Sequence, residues 1–327
     1  MSTRLTLFVL FAVLLAACGT AAPEAQTAVS LTPIRLPMGY IPDPQYAPFY
    51  VAVDKGYYAA EGLAVEFDYS FETDGMALVG ANELPFAIVS GEQVILARAQ
   101  GVPVVYVMEW FQRFPIAIVS KASAGIETPA DLTGRSVGLP GFFGASYVGY
   151  VGLLAANGLA QADVNASDIG FNQVESLLTG QSEAVVGYAN NEPVQLAARG
   201  EDVNVLYVAD YVDMVANGII TNETTLAENP ELVQRFVRAT LRGLADTLAN
   251  PDAAYEISKK FVEGLDDSRR AVLTASLPMW QADLLGETTP ASWQQTESVL
   301  LGMGLLDAPL PDLSAAYTNR FVEAFQP

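Results

Sequence analysis

Residues Val104 to Ser120 read V-V-Y-V-M-E-W-F-Q-R-F-P-I-A-I-V-S. Two β-branched apolar runs, Val104–Val107 and Ile116–Val119, enclose Glu109, Trp110, Phe111, Gln112, Arg113 and Phe114. Each run has the length and composition of a buried strand. The segment between them places ring surface and hydrogen-bonding groups at strand ends, where open α/β sheets bind ligands. The stretch therefore reads as the floor of a cleft and the first crossing between two lobes. In an extended segment Trp110 and Phe111 point to opposite sides, so at least one ring should look into the cleft. Glu109 and Gln112, held between buried strands, need partners, while Arg113 reads as half of a structural ion pair.

Outward from this stretch, strand and helix patterns alternate, the mark of an α/β chain. On its N-terminal side strands are predicted at Ile34–Met38, Ala64–Tyr69 and Pro85–Val89. Between them lie a helix over Gln45–Tyr58, ended by Gly56, a short one capped by Asp74, and one over Val94–Ala99 opened by Gly91-Glu92-Gln93. On the C-terminal side Thr128–Leu132 forms a capped helical turn with an early proline. Strands follow at Arg135–Leu139, Ile169–Gln173, Glu183–Tyr188 and Val203–Ala209, and Gly218–Ile220 is a return strand after a second crossing at 211–220. The remainder is helical, led by Leu232–Leu248, whose apolar positions 233, 236, 237, 241, 244 and 248 keep to one face.

The chain of 327 residues opens with Arg4, an apolar Leu5–Leu15 run and Leu15-Ala16-Ala17-Cys18. That run is too short for a spanning helix and suits an export signal. Its small residues before a cysteine match a bacterial lipobox, with Cys18 the lipidated residue and 18–33 a lipid anchor and tether. Cys18 is the single cysteine, which removes disulfides, thiolate catalysis and cysteine metal sites. Net charge is −21 with no histidine, which speaks against nucleic acid and, for want of a Lys/Arg cluster, against a polyanionic ligand. An apolar content of 51% supports a large core, and the length accommodates two lobes.

Candidate binding residues lie at predicted strand-to-helix turns. Asp43 and Tyr46 sit at the first, with Phe49 and Tyr50 reading as core. Ser90 and Glu92 open a helix, where Glu92 would repel an anion that a helix N-terminus otherwise attracts; a neutral ligand with hydroxyls or ring N–H groups fits better. Glu109, Trp110 and Phe111 belong to the crossing. Phe142, Phe143 and Tyr147 belong to the Gly-flanked loop Gly141–Tyr147, whose glycine spacing and missing lysine do not make a phosphate loop; rings there suit clamping a flat ligand. Tyr188, Asn190, Asn191 and Glu192 end a strand with amides that match a uracil-like imide edge, although helix capping alone accounts for an asparagine there.

The pieces M-G-Y-I-P-D-P-Q-Y-A-P-F-Y-V-A-V-D-K-G-Y-Y (Met38–Tyr58) with Ala60-Glu61-Gly62-Leu63, F-A-I-V-S-G-E-Q (Phe86–Gln93) and T-P-A-D-L-T-G-R-S-V-G (Thr128–Gly138) resemble the ABC-importer solute-binding proteins of the thiamine-pyrimidine, nitrate and sulfonate family. E-W-F-Q-R-F-P at 109–115 places the chain nearest the riboflavin-binding lipoproteins of riboflavin importers. The resemblance implies a two-lobe α/β periplasmic-binding-protein fold of type II, with the ligand in the interlobe cleft and two crossing segments. Residues 1–17 are then the signal peptide, 34–118 with 215–327 one lobe, and 119–214 the other. It implies a monomer on the outer face of the cell membrane, an ABC-type permease as partner, and no cofactor or metal. Seven rings at predicted cleft-facing turns favour riboflavin, with its flat isoalloxazine and neutral ribityl tail, over a formylaminopyrimidine-like ligand. The related pyrimidine-making enzyme uses a histidine and a cysteine-rich motif, and this chain has neither. A hydrolase without histidine or free cysteine, and a ligand-sensing lipoprotein, are the competing classes.

Overall fold

Among the described residues ten strands pair in sheets of two, three and five, the first two in one lobe and the third in the other, and the cleft lies where the connections between the lobes cross. The computed structural model describes residues 31–325; Cys18, the signal and most of the tether lie outside the described residues. The strands are β1 (Thr32–Pro37), β2 (Leu63–Asp68), β3 (Ala87–Ser90), β4 (Val104–Glu109), β5 (Ile116–Lys121), β6 (Ser136–Leu139), β7 (Asn165–Asp168), β8 (Ala184–Tyr188), β9 (Val203–Tyr207) and β10 (Asn217–Asn222).

In the first lobe β1 pairs in parallel with β2 and lies beside β3, and β10 runs antiparallel between β3 and β4. In the second lobe the order is β7-β6-β8-β5-β9, with β5 the antiparallel member between β8 and β9. Each lobe thus receives one antiparallel strand from a chain that has just left the other lobe. That exchange is the two-crossing plan of the type II fold. The first crossing is residues 110–115, because β5 already pairs within the second sheet from Ile116 onward; the expected boundary at 118 falls inside that strand. The second crossing is 208–216, and Asn217 O ties the two together by accepting from Trp110 N at 2.9 Å and Phe111 N at 3.1 Å.

β3, β4 and β5 are buried on both faces, as continuous apolar runs require when helices cover both sides of a sheet. The long helix Pro230–Ala249 presents its apolar stripe to the helix Ala47–Asp54, and Phe236 stacks on Phe86 at 4.1 Å between centroids. Helix Arg270–Trp280 crosses behind the cleft, touching both the turn before Ala47 and the helix Glu192–Ala198 of the second lobe.

Three local expectations change. The predicted strand Ile169–Gln173 is a turn, with Gly170 at φ +58° and a helix over Gln173–Thr179. The strand is Asn165–Asp168, which lacks an apolar pattern because it is an exposed edge. Asp74 does not cap its helix: the helix begins at Glu72 after Phe71, and Asp74 is a first-turn acid favoured by the helix dipole. The expected single helix Gln45–Tyr58 is a 3₁₀ turn at Pro44–Tyr46, a helix over Ala47–Asp54 and a further turn over Tyr57–Ala60, parted by Gly56 at φ +72°.

Candidate functional site

The cleft between the lobes is lined from both sides, by Tyr46, Glu72 and Trp110 of the first lobe and by Phe143, Tyr188 and Glu192 of the second. Its floor comes from the crossings and the first loop. Trp110 lines it, and Tyr46 lies over the indole at 5.3 Å and 28°. Tyr46 is fixed there by donating its hydroxyl to Met38 O at 2.7 Å. Tyr188, at the end of β8, reaches across and donates to Asn217 Oδ1 at 3.1 Å.

The mouth is a ring cluster. Phe71 of the first lobe stacks on Phe171 of the second at 5.6 Å and 27°, and meets Phe143 edge-on at 5.9 Å. Tyr40 closes on Phe171 edge-on at 4.9 Å. Phe71, Phe143 and Phe171 are 45%, 49% and 40% exposed, so large apolar faces from both lobes converge on the opening and are left partly in water. Such exposed, clustered rings mark a binding surface.

The polar wall is acidic and amide-bearing. Glu72 is its centre: its carboxylate accepts from Ser90 N at 3.1 Å, Ser90 Oγ at 2.9 Å, Asn217 Nδ2 at 2.6 Å and Gln93 Nε2. Burial pushes its carboxyl up to about 7 against those donors. Gly39 makes room for it: at φ +80° a Cβ there would lie 2.6 Å from Glu72 Cγ, and the positive φ itself favours glycine. On the opposite wall Glu192 accepts from Tyr188 N at 2.6 Å and from Asn191 Nδ2 at 3.2 Å; burial raises its carboxyl to about 7. No lysine or arginine is among the described residues that line the cleft.

Of the residues expected from sequence, Tyr46, Trp110, Phe143, Tyr188, Asn191 and Glu192 line this cleft. The others lie elsewhere, each for a visible reason. Asp43 is fully buried, where it pairs with Arg269 and accepts from Gln45 N at 3.0 Å. Phe111 is the core-facing partner of Trp110, packed edge-on against Trp110 and Trp280. Glu109 accepts from Ala216 N at 3.0 Å and so fastens β4 to the second crossing. Asn190 donates to Ser276 Oγ at 2.7 Å behind the cleft. Ser90 and Glu92 sit one layer below the wall, behind Glu72. Phe142 and Tyr147 line a neighbouring groove, where Phe142 meets Tyr147 edge-on at 5.8 Å. Arg113 forms the expected ion pair, with Asp210.

Sequence reasoning missed Glu72, Tyr40, Phe71, Phe171 and Asn217, all of which line the cleft. The signal for Phe71-Glu72 was the helix start, and the expected cap, Asp74, lies three residues beyond the actual N-cap, Phe71. Phe171 was hidden by the misread strand.

A family model described as NMT1/THI5-like matches residues 43–254. The chain belongs to the NMT1/THI5-like family. Within it, the chain is 45% identical to the riboflavin-binding protein RibY of Chloroflexus aurantiacus, over 97% of both chains. It is 30% identical to the formylaminopyrimidine-binding protein of Halalkalibacterium halodurans, over 76% of this chain and 78% of that one. It is 25% identical to the 4-amino-5-hydroxymethyl-2-methylpyrimidine phosphate synthase of Legionella pneumophila, over 88% and 92%. Among solved structures the periplasmic aliphatic sulphonate-binding protein SsuA of Escherichia coli superposes with a TM-score of 0.70 at 15% identity, covering 88% of this chain and 97% of that one. The two-lobe binding-protein architecture of this NMT1/THI5-like chain is therefore shared well beyond its close relatives.

Proposed function

We propose that this protein is the solute-receiving component of an ABC importer, binding riboflavin in the interlobe cleft and presenting it to a membrane permease without chemistry. The observation that carries this is the cleft itself: rings from both lobes around acid and amide acceptors, with no cation on the wall. A flat, neutral, polyhydroxylated ligand meets all three features. Its rings lie against apolar faces, its N–H and hydroxyl groups find acceptors, and it brings no anion to the acidic walls. The near full-length similarity to a riboflavin-binding relative points to the same ligand.

Reception without catalysis is consistent with the side chains at hand: the chain has no histidine and a single cysteine at position 18, and the hydroxyl beside the cleft acid Glu72, that of Ser90, is fully buried. Lobe rotation about residues 110–115 and 208–216 would admit and enclose the ligand. Lipidation of Cys18 would hold the chain on the outer face of the cell membrane beside its permease as a monomer, and no described helix is long and apolar enough to cross the membrane.

The formylaminopyrimidine-binding relative makes a single-ring pyrimidine the second reading. A thermal-shift panel separates the two. At a concentration 100-fold above its dissociation constant, a bound ligand adds about 2.7 kcal/mol to stability. Riboflavin should raise the melting temperature by several degrees, and formylaminopyrimidine and flavin mononucleotide should leave it unchanged at the same concentration. A shift with the pyrimidine alone would overturn the flavin assignment and leave the family standing.

A further inference from the structure

Ser90 Oγ carries one hydrogen yet stands within hydrogen-bond reach of two carboxyl groups, Glu72 Oε2 at 2.9 Å and Glu92 Oε1 at 2.5 Å. It also receives Gln93 Nε2 at 3.2 Å. If both acids were ionised, one of the two oxygen pairs would have no proton between them, so one of the acids holds a proton. The surroundings decide which. Glu72 receives one donor that cannot be inverted, the Ser90 backbone N–H, and beside it the amides of Asn217 and Gln93. Glu92 has no such side-chain support, and its Oε2 is buried with no hydrogen-bond partner. A buried ionised oxygen in that position would carry the full cost of lost hydration, whereas the carbonyl oxygen of a neutral acid carries far less.

We propose that Glu92 holds a proton and donates it to Ser90 Oγ, so that Ser90 donates in turn to Glu72, and that the resulting Glu72 carboxylate selects neutral donor-bearing ligands and rejects anionic ones. Glu92 is a positioning residue, out of reach of the cleft. Glu72 Oε1 accepts from a single protein group, Asn217, which leaves a lone pair for an imide N–H or a hydroxyl of the ligand. A phosphate ester entering the same cleft meets a fixed negative charge and no cation among the lining residues, since Arg269, behind Asn191, is paired with Asp43. Neither acid forms an ion pair among the described residues; the titratable groups facing them are Tyr106, Tyr188, Tyr46 and each other. The raised carboxyls agree in order, since Glu92 is pushed up to about 8 by burial and by Glu72, and Glu72 to about 7 by burial.

The selectivity half rests on the flavin reading of the cleft, and the proton placement does not, so two measurements are made at pH 7.5. The first is infrared difference spectroscopy on ligand-free protein in heavy water. Wild type minus E92Q should contain the carbonyl stretch of an un-ionised carboxylic acid. Its absence from that difference would overturn the proton placement whatever the ligand is. The second is equilibrium titration with riboflavin and with flavin mononucleotide. E72Q should weaken riboflavin about tenfold and narrow the preference for riboflavin over its phosphate ester at least about tenfold, as expected for loss of one charged acceptor. E92L should weaken riboflavin about tenfold, and E92Q, whose amide donates to Ser90 as the acid does, should restore most of that loss. An unchanged preference in E72Q, or no difference between E92L and E92Q, would overturn the selectivity. Failure of wild type to bind riboflavin would overturn the ligand assignment and the selectivity with it, leaving the infrared result to stand alone.

Discussion

Trp110 and Phe111 are both buried, and of the two only Trp110 lines the cleft. Phe111 is fully buried against Trp110, Tyr188 and Trp280, so Phe111→Ala should cost about 3–5 kcal/mol of stability in chemical denaturation. Phe71, 45% exposed at the cleft mouth, should behave in the opposite way. Phe71→Ala should leave the denaturation midpoint almost unchanged while weakening riboflavin by about five- to tenfold, on the scale of one lost ring contact. Equal stability losses in the two variants would show that Phe71 is packing rather than ligand surface. Alternation along an extended chain predicted opposite sides for Trp110 and Phe111, whereas the chain bends at Trp110 and the two rings meet edge-on at 4.6 Å, both against Trp280. Asp43 was not readable locally. Its partner Arg269 lies 226 residues along the chain, and nothing local announces that a turn acid will be claimed by an ion pair from the C-terminal region.

Single elements also carry constraints that reach the site. The turn after β1 holds Gly39 at φ +80°, with Glu72 Cγ where a side chain would go. Gly39→Ala should therefore cost about 1–2 kcal/mol and also shift Glu72, so stability and riboflavin affinity should fall together. Full affinity in a folded Gly39→Ala protein would detach the turn from the site. Elements with strong periodic or capping signals were legible: β4, β5, the helix Pro230–Ala249, and the Thr128–Asp131 capping box. Those that failed had weak or contrary patterns. β7 is a polar edge strand, so the apolar Ile169-Gly170-Phe171 beside it drew the assignment. The helix at Glu72 starts without a side-chain cap, so no capping residue marks the acid that stands at the cleft wall.

At the scale of the molecule, the acids collected between and behind the lobes set a pH dependence. Glu72, Glu92, Glu109 and Glu192 are all raised, to about 7, 8, 8 and 7, in each case chiefly by burial. Their ordinary value of 4.5 applies in the unfolded chain, so between pH 4.5 and about 8 the folded protein binds more protons than the unfolded one. Stability then falls as pH rises through that window. The net charge of −21 acts in the same direction, since added negative charge increases self-repulsion. The ligand-free protein should melt several degrees higher at pH 5.5 than at pH 8.5 in low salt. A melting temperature that rises across that range would mean that these acids are ionised in the fold. The two-lobe plan was visible from the alternation of elements and the return strand, whereas the meeting of Phe71, Phe143 and Phe171 depends on how the lobes face each other.

The most direct measurement is a titration of riboflavin fluorescence with purified protein, in wild type and in Trp110→Ala, a residue on the cleft floor. Saturable quenching at one ligand per chain, weakened at least about tenfold in Trp110→Ala, is the expected result. Absence of quenching in the wild type, or quenching that Trp110→Ala leaves untouched, would contradict a flavin held in the interlobe cleft.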